Sequence, residues 1–259
     1  MRYGESGMST WMKFPHDQKA ITYKGDALKK NWDALHKGDG EPYPKDAGLE
    51  EAWRQFHAGN FSIAAAHQNS TVAIKATSIY ATYLEPKDAA KVKHYQDAMA
   101  LAAALIKSEP KNPNAHYQYA YAAGRYSQSI SIMKALKEGY GGKIKTALET
   151  ALKLDAKHAD AHTALGAYHA EILDKVGALV GKLTYGASKD AAVEHYEKAI
   201  KLNPASPIAH IEYANGLLML FGDKEEDKAV KLYEKASKMK ARDAMDVLDI
   251  AMANNELED

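Results

Sequence analysis

Three stretches of the chain, beginning at Lys107, Lys153 and Lys201 and each ending in an Ala-His pair at His116, His162 and His210, align with one another without gaps. The unit returns after 46 residues (107 to 153) and again after 48 (153 to 201). Self-similarity at this spacing marks stacked supersecondary units, none of which can bury its apolar face alone. Pro110 and Pro204 cannot continue the helices behind them, whereas Pro113 and Pro207 suit a first helical turn. Each stretch is therefore a helix end, a turn and a new helix, and the unit is a helical hairpin. Beyond the Ala-His pair, His162, Leu165, Gly166 and His169, and likewise His210, Tyr213, Ala214 and Leu217, fall at helical spacing on one buried face. The chain is rich in alanine and sparse in β-branched residues, which favours close-packed helices and argues against a sheet-rich fold.

The second helix of a unit carries small and large apolar residues three or four apart, as in Ala192, Tyr196 and Ala199 before Pro204 and in Ala229, Tyr233 and Ala236. This resembles the tetratricopeptide repeats, whose second helix reads Ala-x-x-x-aromatic-x-x-Ala-x-x-x-x-Pro, matched here at every specified position from Ala192 to Pro204. His162, Leu165, Gly166 and His169 follow the first-helix signature with histidine in both aromatic slots, and Gly59 to Ala64 looks like the turn joining the helices of a repeat. The usual period is about 34 residues, so the longer units here hold inserts at 126–145 and 172–190, in which Tyr140-Gly141 aligns with Tyr185-Gly186. Lengthened helices with a glycine-marked bend are expected there. Such long, degenerate repeats over 107–240 are similar to the regulator-of-microtubule-dynamics family and its bacterial relatives, and more loosely to the tetratricopeptide subunits of tripartite solute transporters. The resemblance implies an all-α, right-handed α-solenoid of stacked antiparallel helix hairpins with terminal capping helices, and a function in binding other proteins. A cytoskeletal partner is implied only for eukaryotic members.

Along the chain, residues 1–47 are poor in apolar periodicity; a helix is expected within 17–36, with Leu28, Trp32 and Leu35 on one face, followed by a turn-rich linker from His36 to Pro44. This segment is read as an N-terminal cap that either covers the end of the array or folds into its concave face. The array itself is assigned to 48–241, with helices at 49–58, 61–69, 70–84 and 88–108 ahead of the three long units. Residues 242–259 form a C-terminal capping helix, with Met245, Leu248 and Met252 on one stripe and the acidic residues elsewhere.

Composition narrows the function classes. With 34 Lys+Arg against 34 Asp+Glu, nothing in bulk charge favours nucleic acid, and the absence of cysteine removes thiolate chemistry and disulfides. No apolar run reaches the roughly 18 residues of a membrane span, and the first residues lack a signal-peptide core. The chain thus reads as cytoplasmic, or periplasmic if a signal has been removed. No phosphate loop, nucleophile elbow, zincin or calcium motif occurs, so no catalytic residue, cofactor or metal is assigned. The best ligand-like set, His158, His162, His169 and Glu171, is explained more simply by packing, because His162 fills the slot also held by His116 and His210. Gly139 to Gly142 is read as a hairpin turn rather than an anion nest, and Glu225, Glu226 and Asp227 as a solvated helix start.

What remains is the surface that the repeat creates. First helices of successive hairpins line a concave face, where partners dock. Counting from each Ala-His pair, the inward candidates are Asn114, Tyr117, Tyr121 and Arg125 in one unit. They are Asp160, Thr163, Ala167 and Glu171 in the next, and Ile208, Ile211, Asn215 and Met219 in the last. Tyr119 is assigned to the core. The reading taken forward is a non-catalytic scaffold that holds a peptide or protein segment in an open groove, its partner and oligomeric state undetermined. The alternative is a small-ligand or transporter-accessory protein whose long units close the concavity into a pocket lined by Tyr121, Arg125 and Met219.

Overall fold

The computed structural model describes residues 11–258, so the first ten residues of the 1–47 segment and Asp259 lie outside the described residues. The chain is all-α, without a strand among the described residues. Its helices are α1 (Ala27–Leu35), α2 (Ala47–His57), α3 (Phe61–Ala65), α4 (Thr71–Tyr83), α5 (Asp88–Ser108), α6 (Pro113–Ile130) and α7 (Ile132–Lys137). They continue with α8 (Tyr140–Leu154), α9 (Ala159–Val180), α10 (Lys189–Leu202), α11 (Pro207–Phe221), α12 (Glu226–Ser237) and α13 (Ala244–Glu258). The hairpins α4/α5, α6/α8, α9/α10 and α11/α12 stack in sequence order as an α-solenoid.

The repeated Ala-His stretch has a local cause. The residue three before each alanine caps the new helix: Asn112 Oδ1 accepts from Ala115 N (3.2 Å), His158 Nδ1 from Ala161 N (3.1 Å) and Ser206 Oγ from Ala209 N (3.3 Å). Each satisfies one of the orphan donors of a helix N-terminus. The histidine that follows reaches back: His116 Nε2 donates to Pro110 O (3.0 Å) and His162 Nε2 to Ala156 O (3.3 Å), tying the helix to the turn it left. His210 makes the equivalent tie with Nδ1 to Ser206 O at 2.9 Å.

Between hairpins, the small residues set the spacing. Tyr196 of α10 is fully buried in a slot between two glycines: a Cβ at Gly166 of α9 would lie 2.8 Å from its ring, and one at Gly216 of α11 2.5 Å from it. The ring then stacks on Tyr213 at 5.2 Å. Only glycine lets both first helices approach one tyrosine this closely.

The inserts bend the long units. α6 ends at Ser131, whose φ is 92°, and Gly139 (φ 79°) precedes α8, so α7 stands between two left-handed turns. In α9, Gly177 breaks the helical path (φ 79°, ψ 163°) ahead of a π-helical turn at Gly181–Tyr185. Gly141 packs against the Tyr185 ring, so the aligned Tyr-Gly positions meet, one pair opening a helix and the other closing a turn. Two expected helices are shorter than the pattern suggested. The 17–36 helix is reduced to α1 because Gly25 takes φ 52°, and 61–69 ends at Ala65, before Asn69 at φ 58°.

The two ends of the array meet. α13 packs on α12 and α11 as the first helix of a further hairpin would, and its other side touches α2. Ala244 and Leu248 join the core formed by Trp32, Trp53, Phe56, Ile79 and Tyr80. The acidic residues of α13 are therefore not on its solvent side as the sequence pattern suggested: Asp246 and Asp249 are buried, because this helix meets the protein on two faces. Residues 36–41 cross the N-terminal ends of the first helices, where Asp160 N donates to Gly38 O (3.1 Å) and Trp32 Nε1 to Glu41 O (2.7 Å).

Candidate functional site

The first helices α4, α6, α9 and α11, with α13, surround a cavity of about 120 Å³ at the centre of this ring. α4 contributes Lys75, Ile79 and Tyr83, and α6 contributes Tyr117, Tyr121 and Arg125, at the three-to-four spacing of one helical face. α9 adds Asp160, Thr163, Ala167 and Glu171, α11 adds Ile208 and Glu212, and α13 adds Met245 and Asp249. α7 covers one side with Ile132, Ala135 and Leu136. Gln128, at the C-terminal end of α6, is the exposed part of the lining, opposite the end crossed by residues 36–41.

Of the residues expected to face inward, Tyr117, Tyr121, Arg125, Asp160, Thr163 and Glu171 line this cavity, together with Ala167 and Ile208. Four do not. Asn114 is buried at the closed end, where its Nδ2 donates to Glu41 Oε2 (2.6 Å) and its Oδ1 accepts from His158 Nε2 (2.8 Å). Ile211 is buried in a separate cluster with Tyr233 and Ala253, because α13 lies across that face of α11. Asn215 accepts from the Tyr233 hydroxyl, and Met219, 43% exposed, sits outside. The register of the third unit is thus offset, α11 presenting Ile208 and Glu212 instead. Sequence reasoning missed Lys75, Tyr83, Glu212 and Asp249. The available signals were the stripe three residues beyond each repeat alanine (Gln118, Ala164, Glu212) and the spacing of Asp243, Asp246 and Asp249.

The charges facing the cavity are unevenly matched. Arg125 donates to Glu212 (2.8 Å) and lies over the Tyr121 ring, 5.4 Å from its centroid. Lys75 pairs with Asp39 at 2.7 Å. Burial pushes the Asp160 carboxyl up to about 6 against the pull of Lys75. Burial likewise raises Glu171, which accepts from the Gln128 amide. Burial, with Asp246 and Asp243 nearby, holds Asp249 well above the usual carboxylate range; its Oδ1 accepts from the Tyr83 hydroxyl and its Oδ2 has no partner.

The closed end is held by a buried chain of ionisable groups from four separate segments. Asp39 joins Lys75 and His36 Nδ1 (2.8 Å); His36 Nε2 meets His57 Nε2 (3.2 Å), and His57 Nδ1 meets Asp243 Oδ2 (2.9 Å). Three contacts need three protons, one more than two neutral imidazoles carry, and Lys75 supplies the positive charge beside Asp39. Burial alone would raise Asp39, but Lys75 and His36 outweigh it and hold Asp39 well below the usual range. Burial keeps His36 down at about 4. Glu41 is pushed up to about 7 by burial and by Asp39.

The His158, His162, His169 and Glu171 set does not converge. Both ring nitrogens of His158 are committed, Nδ1 as a helix cap and Nε2 to Asn114. His162 Nδ1 meets His195 Nδ1 at 2.8 Å while Glu171 faces the cavity. Among the described residues no group of three His, Asp or Glu side chains has metal-binding geometry, and no helix is long and apolar enough to cross a membrane.

A family model described as Regulator of microtubule dynamics protein 1-3 matches residues 60–257. No curated protein matches the chain.

Proposed function

The chain belongs to the regulator of microtubule dynamics family, and from that premise we propose that it is a non-catalytic binding protein of tetratricopeptide type whose concave face takes a small ligand. The observation that carries this reading is the closure of the ring. α13 lies where a bound peptide would run and residues 36–41 cross one end, leaving a partly enclosed, largely apolar space with a few convergent polar groups, the usual form of a small-molecule site. The family's name speaks of microtubule dynamics, and no residue described here argues for a cytoskeletal partner over any other.

A peptide or protein segment in the groove keeps one observation in its favour: α13 itself is a helix seated against the inner helices. That reading requires α13 to leave and so to break its contacts through Asp243, Leu248 and Asp249. The two readings separate in a thermal-shift screen of the full chain against small molecules and against a peptide library, repeated with Ala167→Phe, which fills the cavity. Small molecules should raise the melting temperature of the parent, by mass action on the native state, and should fail to do so in the variant. Peptides that bind while no small molecule does would contradict the proposal.

A further inference from the structure

Granted the ligand-cavity reading above, on which this inference rests, we propose that the ligand is a small organic ammonium ion, held between the carboxylates of α9 and α13 and the tyrosine walls. The charge inventory of the cavity leads there. Its two cations are already matched, Lys75 by Asp39 at 2.7 Å and Arg125 by Glu212 at 2.8 Å. Asp160, Glu171 and Asp249 have no cationic partner within ion-pair range among the described residues. A carboxylate taken out of water without a counter-ion is costly; Asp249 is buried, Asp160 and Glu171 are half-buried, and all three flank one cavity.

The second observation concerns atoms left without partners. Asp249 is 1% exposed, and its Oδ2 has no hydrogen-bond donor. Tyr168 of α9 also lines the cavity, and its buried hydroxyl is unpartnered as well. Almost all buried polar groups in proteins find a partner, so the unpaired Oδ2 marks the place of a ligand group that donates to it. The walls supply the rest. Tyr83, Tyr117, Tyr121 and Tyr168 turn toward the space, and Arg125 already lies over Tyr121 as a cation over a ring face. An ammonium ion bound here satisfies both preferences of its class, for carboxylate oxygen and for aromatic faces.

The other ligand classes fit worse. An anion would face three unmatched carboxylates with both cations spoken for, and a neutral apolar molecule would leave Asp249 Oδ2 unpaired. Size sets the upper bound. An apolar cavity of about 150 Å³ takes benzene, so the present space of about 120 Å³ admits a chain or ring of comparable or smaller size. Burial raises all three carboxyls, and an ammonium ion in the cavity favours their ionised forms, so any proton that one of them holds in the empty protein leaves for solvent as the ion enters.

The test is calorimetric titration of the full chain with butylammonium, butyrate and pentan-1-ol, three probes of similar size and different charge. Butylammonium should bind with a dissociation constant of about 0.1–1 mM, and the other two at least about tenfold more weakly. Its observed enthalpy should vary with the ionisation enthalpy of the buffer, reporting the released proton. Glu171→Gln near the mouth and Asp249→Asn should each weaken butylammonium about tenfold while leaving helix content unchanged; Tyr168→Phe, which removes only a hydroxyl, serves as the milder variant, expected at about threefold. Pentan-1-ol or butyrate binding as well as butylammonium would overturn the ammonium assignment and leave the cavity reading standing. No binding of any probe at about 10 mM would overturn both, and parental affinity in Glu171→Gln and Asp249→Asn would overturn the assignment of these carboxylates.

Discussion

The middle of the molecule and its closure are held together by different physics. From α8 to α12 the helices pack through alanine, glycine and tyrosine, with Tyr196 slotted between Gly166 and Gly216 and the turns before α9 and α11 each tied by a cap and a histidine. At the closure the contacts are polar and buried, joining residues 39, 57, 75 and 243 from four distant segments. The first arrangement is local and repeats; the second occurs once and depends on every member. Stability lost in the array should therefore be graded with volume, whereas stability lost at the closure should be abrupt, because removing one partner strands a buried charge.

The largest effect expected is at Asp39. Asp39→Ala leaves Lys75 buried without its counter-ion and should cost about 3–5 kcal/mol by chemical denaturation. Adding Lys75→Met should recover most of that loss, and a double mutant as unstable as the single one would mean that the pair is not what holds the closure.

Next in size is the dependence on pH, in which the two regions oppose each other. Glu41 at about 7 and Asp160 at about 6 lie above their unfolded values near 4. The stability they contribute is complete below pH ~4 and is lost as pH rises through 6 to 7. His158, His162 and His169 at about 4 lie below an unfolded value near 6.5, burial being the main cause. Their contribution is present above pH ~6.5 and is lost as pH falls through 4. The carboxyls withdraw about 2 kcal/mol from pH 6 to 8, an alkaline limb that belongs to the closure, while the three histidines return about as much over the same range, so the melting temperature should peak near pH ~7. Glu41→Gln should flatten the alkaline limb alone, and an unaltered limb would remove Glu41 from the account.

Within the array, Gly216→Ala pushes a methyl into the Tyr196 ring and should cost about 2 kcal/mol, most of which Gly216→Ala combined with Tyr196→Leu should recover. Ser206→Ala removes one helix cap of the repeated set and should cost about 1 kcal/mol, adding to Asn112→Ala without coupling because the two caps share no partner. Coupling between those caps would mean that the turns are not independent units.

The same contrast explains what the sequence made legible. The hairpins, the turns, the glycine-marked bends and eight cavity residues followed from the repeat, because a repeat forces equivalent residues into equivalent places. The third unit broke the rule: α13 covers the Ile211 face of α11, and no count from the Ala-His pair reports a helix arriving from the end of the chain. Asp243, Asp246 and Asp249 read as a solvated face because acids on an amphipathic helix usually are one; here the helix is buried on two sides and the acids meet His57, Arg242 and Tyr83. Lys75 and Tyr83 escaped notice since α4 precedes the aligned units and offers no register to count from.

The claim on which the rest depends is that α13 closes the ring in solution. Hydrogen exchange of the full chain, followed peptide by peptide at neutral pH, tests it directly. Amides of Ala244–Glu258 should be protected to nearly the same degree as those of α9 and α10, except for the last turn, and should lose that protection in Asp39→Ala while α9 and α10 keep theirs. Rapid exchange throughout α13 in the unaltered protein, beside a protected array, would mean that the ring stands open and would contradict the account.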